Sequence, residues 1–220
     1  FASYDNEDGQ WDLYATDNSN TESFTTGEGY AMATTTGAAV KFTGEMETED
    51  YTDKTVINNN AATGGAGRRW NLVSNPYPSY IKGNLLSGAN NFLGANTAVI
   101  DDEFLGVWGW NGEEYKIYNQ LETPEGVNTS FTIAPGQAFW VAAESTTATP
   151  LNFTADMRTT SGDGDFVTGP QPLTYNLELI LKNETQKATT KFYFRDGLSL
   201  DLDPGYDAGS YNQSMALSTR

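Results

Sequence analysis

The side chains able to do chemistry in this chain are almost all carboxylates and aromatic rings. It has no Cys and no His. That removes disulfides, thiol catalysis and thiolate metal sites together. It also removes imidazole acid–base chemistry, serine–histidine triads and most zinc sites. Oxygen chemistry remains. The run "DLDPGYD" sets Asp201, Asp203 and Asp207 around Pro204-Gly205, the hard oxygens on a flexible turn that calcium takes. "GDGD" offers a weaker pair, Asp163 and Asp165. Neither has the EF-hand spacing, and Asp with Gly also builds turns without any ion. Calcium is therefore the one cofactor expected. Paired carboxylates can run glycoside hydrolysis without His, which draws attention to Asp101, Asp102 and Glu103 and to Glu113 and Glu114. Acidic residues in turns are usually just solvated, and the expectation is a protein that is not an enzyme.

The aromatic rings offer a second chemistry. Trp108, Trp110, Tyr115 and Tyr118 bracket Asn111-Gly112, a strong hairpin signal. Trp108 and Trp110 are two apart and so share a strand face. Exposed, these four rings make a ligand platform for sugar. Buried, they are core. Tyr4 and Trp11 stand at the matching place of an earlier segment, which favours a shared core position.

The elements that must position these residues read as strands. Leu151, Phe153, Ala155 and Met157 alternate with polar residues, and so do Tyr175, Leu177, Leu179 and Leu181, with Ile180 the one apolar intruder. Alternation of this kind marks half-buried strands. Residues 138–143, "AFWVAA", are apolar on both faces and read as an inner strand. "WNLVS", residues 70–74, is a strand that must stop at Asn75-Pro76-Tyr77-Pro78. Proline lacks the amide donor and fixes φ, so the corner is architectural. No convincing amphipathic helix appears; residues 80–93 are broken by Gly83, Gly88 and several Asn. The fold class expected is all-β, as tandem antiparallel β-sandwich units of Ig-like or jelly-roll-like kind.

An internal repeat sets the domain boundaries. "YDNEDGQWDLY" followed by "FTTGEGY…VKFTGEM" parallels "WGWNGEEYKIY" followed by "FTIAPGQAFWV…LNFTADM". Phe24 answers Phe131, Tyr30 answers Phe139, Phe42 answers Phe153 and Met46 answers Met157. The expected organisation is an incomplete first unit at 1–57, a linker at 58–67, a second unit at 68–158, a linker at 159–172 and a C-terminal β region at 173–220. The first unit lacks a counterpart of "WNLVSNPYPS". Its open edge is expected to be filled by a missing part of a parent chain, by another segment of this chain, or by a strand from a neighbouring copy. Phe1–Tyr4 and Tyr211–Arg220 are the expected donors.

Charge narrows the partners. Asp and Glu outnumber Lys and Arg by 29 to 12, a net charge of −17. Such a surface repels phosphate backbones and anionic membranes, so nucleic acid is excluded. No run approaches the ~20 apolar residues of a membrane helix, so no membrane insertion is expected. Five Trp, twelve Tyr and eleven Phe supply bulk for a packed core. Beginning at Phe1, the sequence reads as a processed chain or a fragment.

"WNLVSNPYPS", "WGWNGEEY", "IAPGQAFWV" and "LNFTADMR", with "KFYFRDGLSLDLDPGYDAGSYN" near the end, resemble a β-rich block of large surface and secreted proteins of Bacteroidota. These are exported by the type IX secretion system, and their C-terminal sorting domain has no counterpart here. The resemblance covers residues 68–158 and 171–214, and through the repeat residues 4–48. It implies an extracellular or cell-surface location, outside the bacterial outer membrane, and fixes no single activity. Two functions are expected from it. One is a non-catalytic structural or adhesive surface protein, self-assembling into a filament by strand donation and bound to itself or to other surface proteins. The alternative is a carbohydrate-binding accessory module of a secreted polysaccharide-degrading enzyme.

Overall fold

The computed structural model describes residues 1–14, 23–32, 43–60, 67–111, 114–120, 122–123, 126–127, 130–162, 176–183 and 187–193. In chain order the strands are β1 (Ala2–Asp5), β2 (Gln10–Leu13), β3 (Thr55–Val56), β4 (Trp70–Ser74), β5 (Tyr80–Lys82), β6 (Val107–Trp110), β7 (Tyr115–Tyr118) and β8 (Glu122–Thr123). They continue with β9 (Gly126–Val127), β10 (Thr132–Ile133), β11 (Ala138–Ala142), β12 (Thr149–Pro150), β13 (Arg158–Thr159), β14 (Asn176–Lys182) and β15 (Lys187–Tyr193). Every ladder among them is antiparallel. Helix among the described residues comprises one α turn, α1 (Phe92–Ala95), short 3-10 turns and the single helical residue Asn60. The fold is all-β. Among the described residues no helix is long and apolar enough to cross a membrane.

The central sheet has four strands in the order β4-β11-β6-β7. Both of its faces are apolar, as the unbroken run 138–143 requires. Val73, Val107, Phe139 and Val141 point into the main core with Phe92, Leu93, Ile81 and Phe153. Trp70, Leu72, Trp108, Trp140 and Ala142 form a second cluster on the opposite face. Burying each large side chain is worth roughly 1.5–3 kcal/mol. Trp70, Leu72, Phe139, Trp140, Val141 and Phe153 are all buried, as expected from the sequence.

The Pro corner ends β4 at Ser74. Asn75 holds it in place. Its side-chain amide lies 2.9, 3.1 and 3.0 Å from the carbonyl oxygens of Ser79, Ile133 and Ala134. Its oxygen accepts the Tyr77 amide at 3.0 Å. Tyr77 is buried, and its hydroxyl sits 2.8 Å from the carbonyl oxygens of both Glu49 and Phe153. The corner is a core element.

Of the three expected ways of filling the open edge of the first unit, the structure shows another segment of this chain, β4, beside residues 27–29. Ser74 N–H donates to Gly27 O at 2.9 Å, Gly29 N–H donates to Leu72 O at 3.2 Å, and Glu28 faces Val73 in an antiparallel bridge. The other edge of β4 pairs with β11 from Ala138↔Ser74 to Ala142↔Trp70. One strand thus borders segments of both expected units. Phe1–Tyr4 is not a free donor either. β1 pairs with β2, and Ala2 and Ala31 exchange amide hydrogen bonds at 2.9 and 2.8 Å. The other expected donor, 211–220, lies outside the described residues.

The first stretch also packs onto the second elsewhere. β3 pairs with β12, and Tyr51 exchanges hydrogen bonds with Phe153. Tyr51 and Val56 lie in the same core as Phe153 and Leu151. Parts of both expected linkers, 61–66 and 163–172, lie outside the described residues.

Two local expectations are corrected. Residues 151–157 are not one alternating strand. After Phe153 the chain turns into a 3-10 helix, Ala155–Met157, because the Asp50 carboxylate takes the Ala155 amide at 2.8 Å. Leu151, Phe153 and Met157 still reach the core. The repeat partners also differ in burial. Met46 is 62% exposed and Met157 1%; Phe24 is exposed and Phe131 buried. Phe42 lies outside the described residues. The hairpins recur, as β1–β2 and β6–β7, but the segments after them pack differently.

Candidate functional site

The Asn111 turn closes the β6–β7 hairpin. Asn111 Oδ1 accepts the Glu114 amide at 2.8 Å, the local bond expected of Asn in a turn. The register sets Val107 opposite Tyr118, Trp108 opposite Ile117 and Trp110 opposite Tyr115. Strand alternation then divides the four expected platform residues between two faces. Tyr118 goes to the main core, 5.3 Å from the Phe131 ring. Trp108 and Trp110 share the opposite face, as expected, but differ in depth. Trp108 is fully buried against Trp70, ring centroids 4.6 Å apart, whereas Trp110 is 49% exposed.

The exposed rings that the structure does gather come from two hairpins. Trp110 and Tyr115 meet edge to face at 4.9 Å. Tyr115 lies 6.4 Å from Trp140. From the first hairpin Tyr4 and Trp11 approach Trp140 at 4.7 and 5.8 Å, and Trp11 is 42% exposed. The result is an aromatic surface with Trp140 buried at its centre and Trp11, Tyr115 and Trp110 around it. The rings meet at 60–80°. Such edge-to-face contacts are the favoured aromatic geometry, and they leave a ridged surface instead of a flat platform. Sequence reasoning missed Trp11 and Trp140 as members. The repeat carried the signal, since Trp11 stands where Tyr115 does.

An amide cluster anchors the first hairpin to this face. Asn6 Nδ2 donates to Ile57 O at 2.8 Å and to Asn71 Oδ1 at 3.0 Å, and Asn59 Nδ2 donates to Asn6 Oδ1 at 3.0 Å. Asn71, buried in β4, in turn donates to Ile57 O and Arg69 O at 3.0 and 2.8 Å. Buried amides satisfied in this way fix geometry.

Among the expected carboxylates, Asp101 and Glu114 have structural partners. Asp101 accepts the Glu103 amide at 3.0 Å, capping the 3-10 turn Asp102–Phe104, and forms an ion pair with Arg69. Burial pushes its carboxyl above the usual carboxylate range, against the pull of the Arg69 guanidinium. Asp102 and Glu103 belong to the same turn. Glu114 pairs with Lys116 on the surface, and Glu113 lies outside the described residues, as do Asp163, Asp165, Asp201, Asp203 and Asp207. Among the described residues no three carboxylates cluster to hold a metal ion. An open groove beside β1 is lined by Asp5, Asp12, Glu28, Lys54 and Asn71, with Lys54 and Glu28 joined as an ion pair.

Two strand surfaces are exposed. All four residues of β2 are exposed, Leu13 at 82%. β14 and β15 pair over seven rungs with each other and with no other described strand. Leu179, Ile180 and Leu181 of β14 are exposed.

No curated protein and no solved structure matches this chain. A family model described as a domain of unknown function (DUF8693) matches residues 2–219, nearly the whole sequence, and the chain belongs to that family.

Proposed function

We propose that this chain is a non-catalytic structural or adhesive module of an extracellular surface protein, which works by associating through its strands. The observation that carries this reading is the exposed apolar surface on two strands that each pair with one described neighbour: Trp11 and Leu13 on β2, and Leu179, Ile180 and Leu181 on β14. Exposed apolar edge strands are templates for another chain, and soluble monomers normally blunt them. The location rests on the resemblance to exported Bacteroidota surface proteins. The architecture we propose is a β-sandwich, supported by apolar layers on both faces of the four-stranded sheet, with two hairpin units sharing β4. Calcium at the Asp201, Asp203 and Asp207 turn belongs to this reading on sequence spacing alone; a calcium titration of Tm in the native protein and in Asp203→Ala tests it. The reading as a whole is tested by electron micrographs of the concentrated, purified chain. Ordered polymers support it, and a field of single particles at every concentration counts against it.

The aromatic surface favours a second reading, a carbohydrate-binding accessory module. Trp110, edge to face with Tyr115, and Trp11 are both exposed, and sugar rings stack on exposed aromatic side chains. Glycan-array binding that disappears in Trp110→Ala would favour this reading over the first.

A further inference from the structure

The groove beside β1 has a volume of about 390 Å³ and is bordered by the first hairpin, β3 and β4. The register of the hairpin decides what faces it. Ser3 stands opposite Asp12, and Asp5 opposite Gln10. Alternation therefore puts Ser3, Asp5 and Asp12 on one face of the hairpin, and all three line the groove. Tyr4 and Trp11 take the other face and meet Trp140. Tyr4 lines the groove as well, so groove and aromatic surface adjoin at that ring.

Two half-buried rings add to the lining. Tyr14 and Tyr30 meet at 5.8 Å, and the Tyr30 hydroxyl oxygen accepts the Thr25 amide at 2.9 Å. A second groove of about 410 Å³ shares Thr25, Glu28, Lys54 and Thr55 with the first and extends it to Tyr51 and Asp53. Hydroxyls, carboxylates and tyrosine rings thus stand together. This is the chemistry of sugar recognition. Carboxylates accept charge-assisted hydrogen bonds from sugar hydroxyls, protein hydroxyls both give and accept, and rings lie against the C–H faces. Charge then selects the class of sugar. Among the described residues, the first groove sets the carboxylates of Asp5, Asp12 and Glu28 against the single ammonium of Lys54, which is paired with Glu28. A uronate or sulfate placed there meets like charge.

We propose that a neutral glycan chain lies along this groove, with Asp5 and Asp12 accepting hydrogen bonds from its hydroxyls. The proposal rests on the carbohydrate-binding reading above and adds to it a polar site and a class of sugar. Asp5 is held for the task, since its Oδ1 accepts the Glu7 amide at 2.7 Å. Asp12 is exposed on β2 and has no such role in the fold among the described contacts. The aromatic surface beyond Tyr4 offers stacking, and the groove offers the polar contacts that tell a neutral sugar from an acidic one.

An array of neutral gluco-, xylo- and manno-oligosaccharides, printed beside uronate-bearing and sulfated glycans, tests this with the native chain, Asp12→Ala and Trp110→Ala. Thermal melting checks that both variants fold. The native chain should retain neutral glycans in preference to acidic ones. Asp12→Ala should weaken that binding by about tenfold or more, the loss expected of a charge-assisted hydrogen bond. Neutral binding that is undiminished in Asp12→Ala overturns the proposal; if it disappears in Trp110→Ala, the carbohydrate-binding reading still stands. A preference for acidic glycans also overturns the proposal and leaves that reading in place. A native chain that retains no glycan overturns both.

Discussion

Tyr4 meets Trp140 edge to face, with ring centroids 4.7 Å apart. One residue lies in the first hairpin and the other in an inner strand of the central sheet, 136 positions on in the sequence. The contact roofs the second apolar cluster and fixes where Trp11 emerges. Tyr4→Ala should therefore cost about 2 kcal/mol, as a large ring is lost along with an aromatic pair. Trp110→Ala, at the exposed rim, should cost under about 1 kcal/mol. Urea denaturation of the two variants measures both. A Tyr4 variant as stable as the native chain would mean the first hairpin does not rest on this face.

Gly29 lies where residues 27–29 border β4. A Cβ there would stand 2.5 Å from Leu72 Cγ and 2.9 Å from the Val73 carbonyl oxygen. Gly29→Ala must pry that segment off the strand, at a cost of roughly 1–3 kcal/mol. Thermal melting checks it. Hydrogen exchange at Gly29 and Ser74, whose amides bond across this edge, should accelerate in the variant.

Tyr77 should make the protein sensitive to alkali. Burial, with Asp50 nearby, pushes its phenol from 10.0 up to about 12. The unfolded chain releases this proton first, so the stability it contributes is complete below pH 10 and is lost as pH rises toward 12. Linkage sets the loss on the order of 2–3 kcal/mol. Tyr77→Phe gives up the hydroxyl's bonds to Glu49 and Phe153, about 1–2 kcal/mol near neutrality. Its stability should then fall less steeply between pH 10 and 12. Tyr4 and Tyr51, also raised by burial, add to the slope in both proteins. Equal slopes would contradict the burial of Tyr77.

Asp101 separates capping from charge. Its carboxyl is raised, so the stability tied to its proton is present at low pH and declines as pH rises through the folded value. Asp101→Asn keeps an oxygen for the Glu103 amide and sheds the buried charge, and should stay within about 1 kcal/mol of the native chain at pH 7. Asp101→Ala also loses the cap and should cost roughly 1 kcal/mol more. Melting of the pair at pH 7 decides it.

The strands were legible where side-chain alternation or an unbroken apolar run met a turn signal. Trp70–Ser74 before its Pro corner, Ala138–Ala142, and the two halves of the Asn111 hairpin all read correctly. Residues 155–157 did not, because a carboxylate distant in sequence, that of Asp50, captures the Ala155 amide. The sharing of β4 was illegible for a similar reason. Pairing partners depend on which edge is nearest in space, and repeat arithmetic assigned the strand to one unit only. Burial at the candidate site was half legible. Period two placed Trp108 and Trp110 on one face, but burial there depends on neighbours distant in sequence: Trp70 and Phe104 pack on Trp108, whereas Trp110 is exposed.

The central claim is that this chain associates with itself through its open strands. Sedimentation velocity of the purified chain over a wide concentration range tests it most directly. The account predicts a ladder of species that lengthens with concentration. A single 24.0 kDa boundary at every concentration would contradict it.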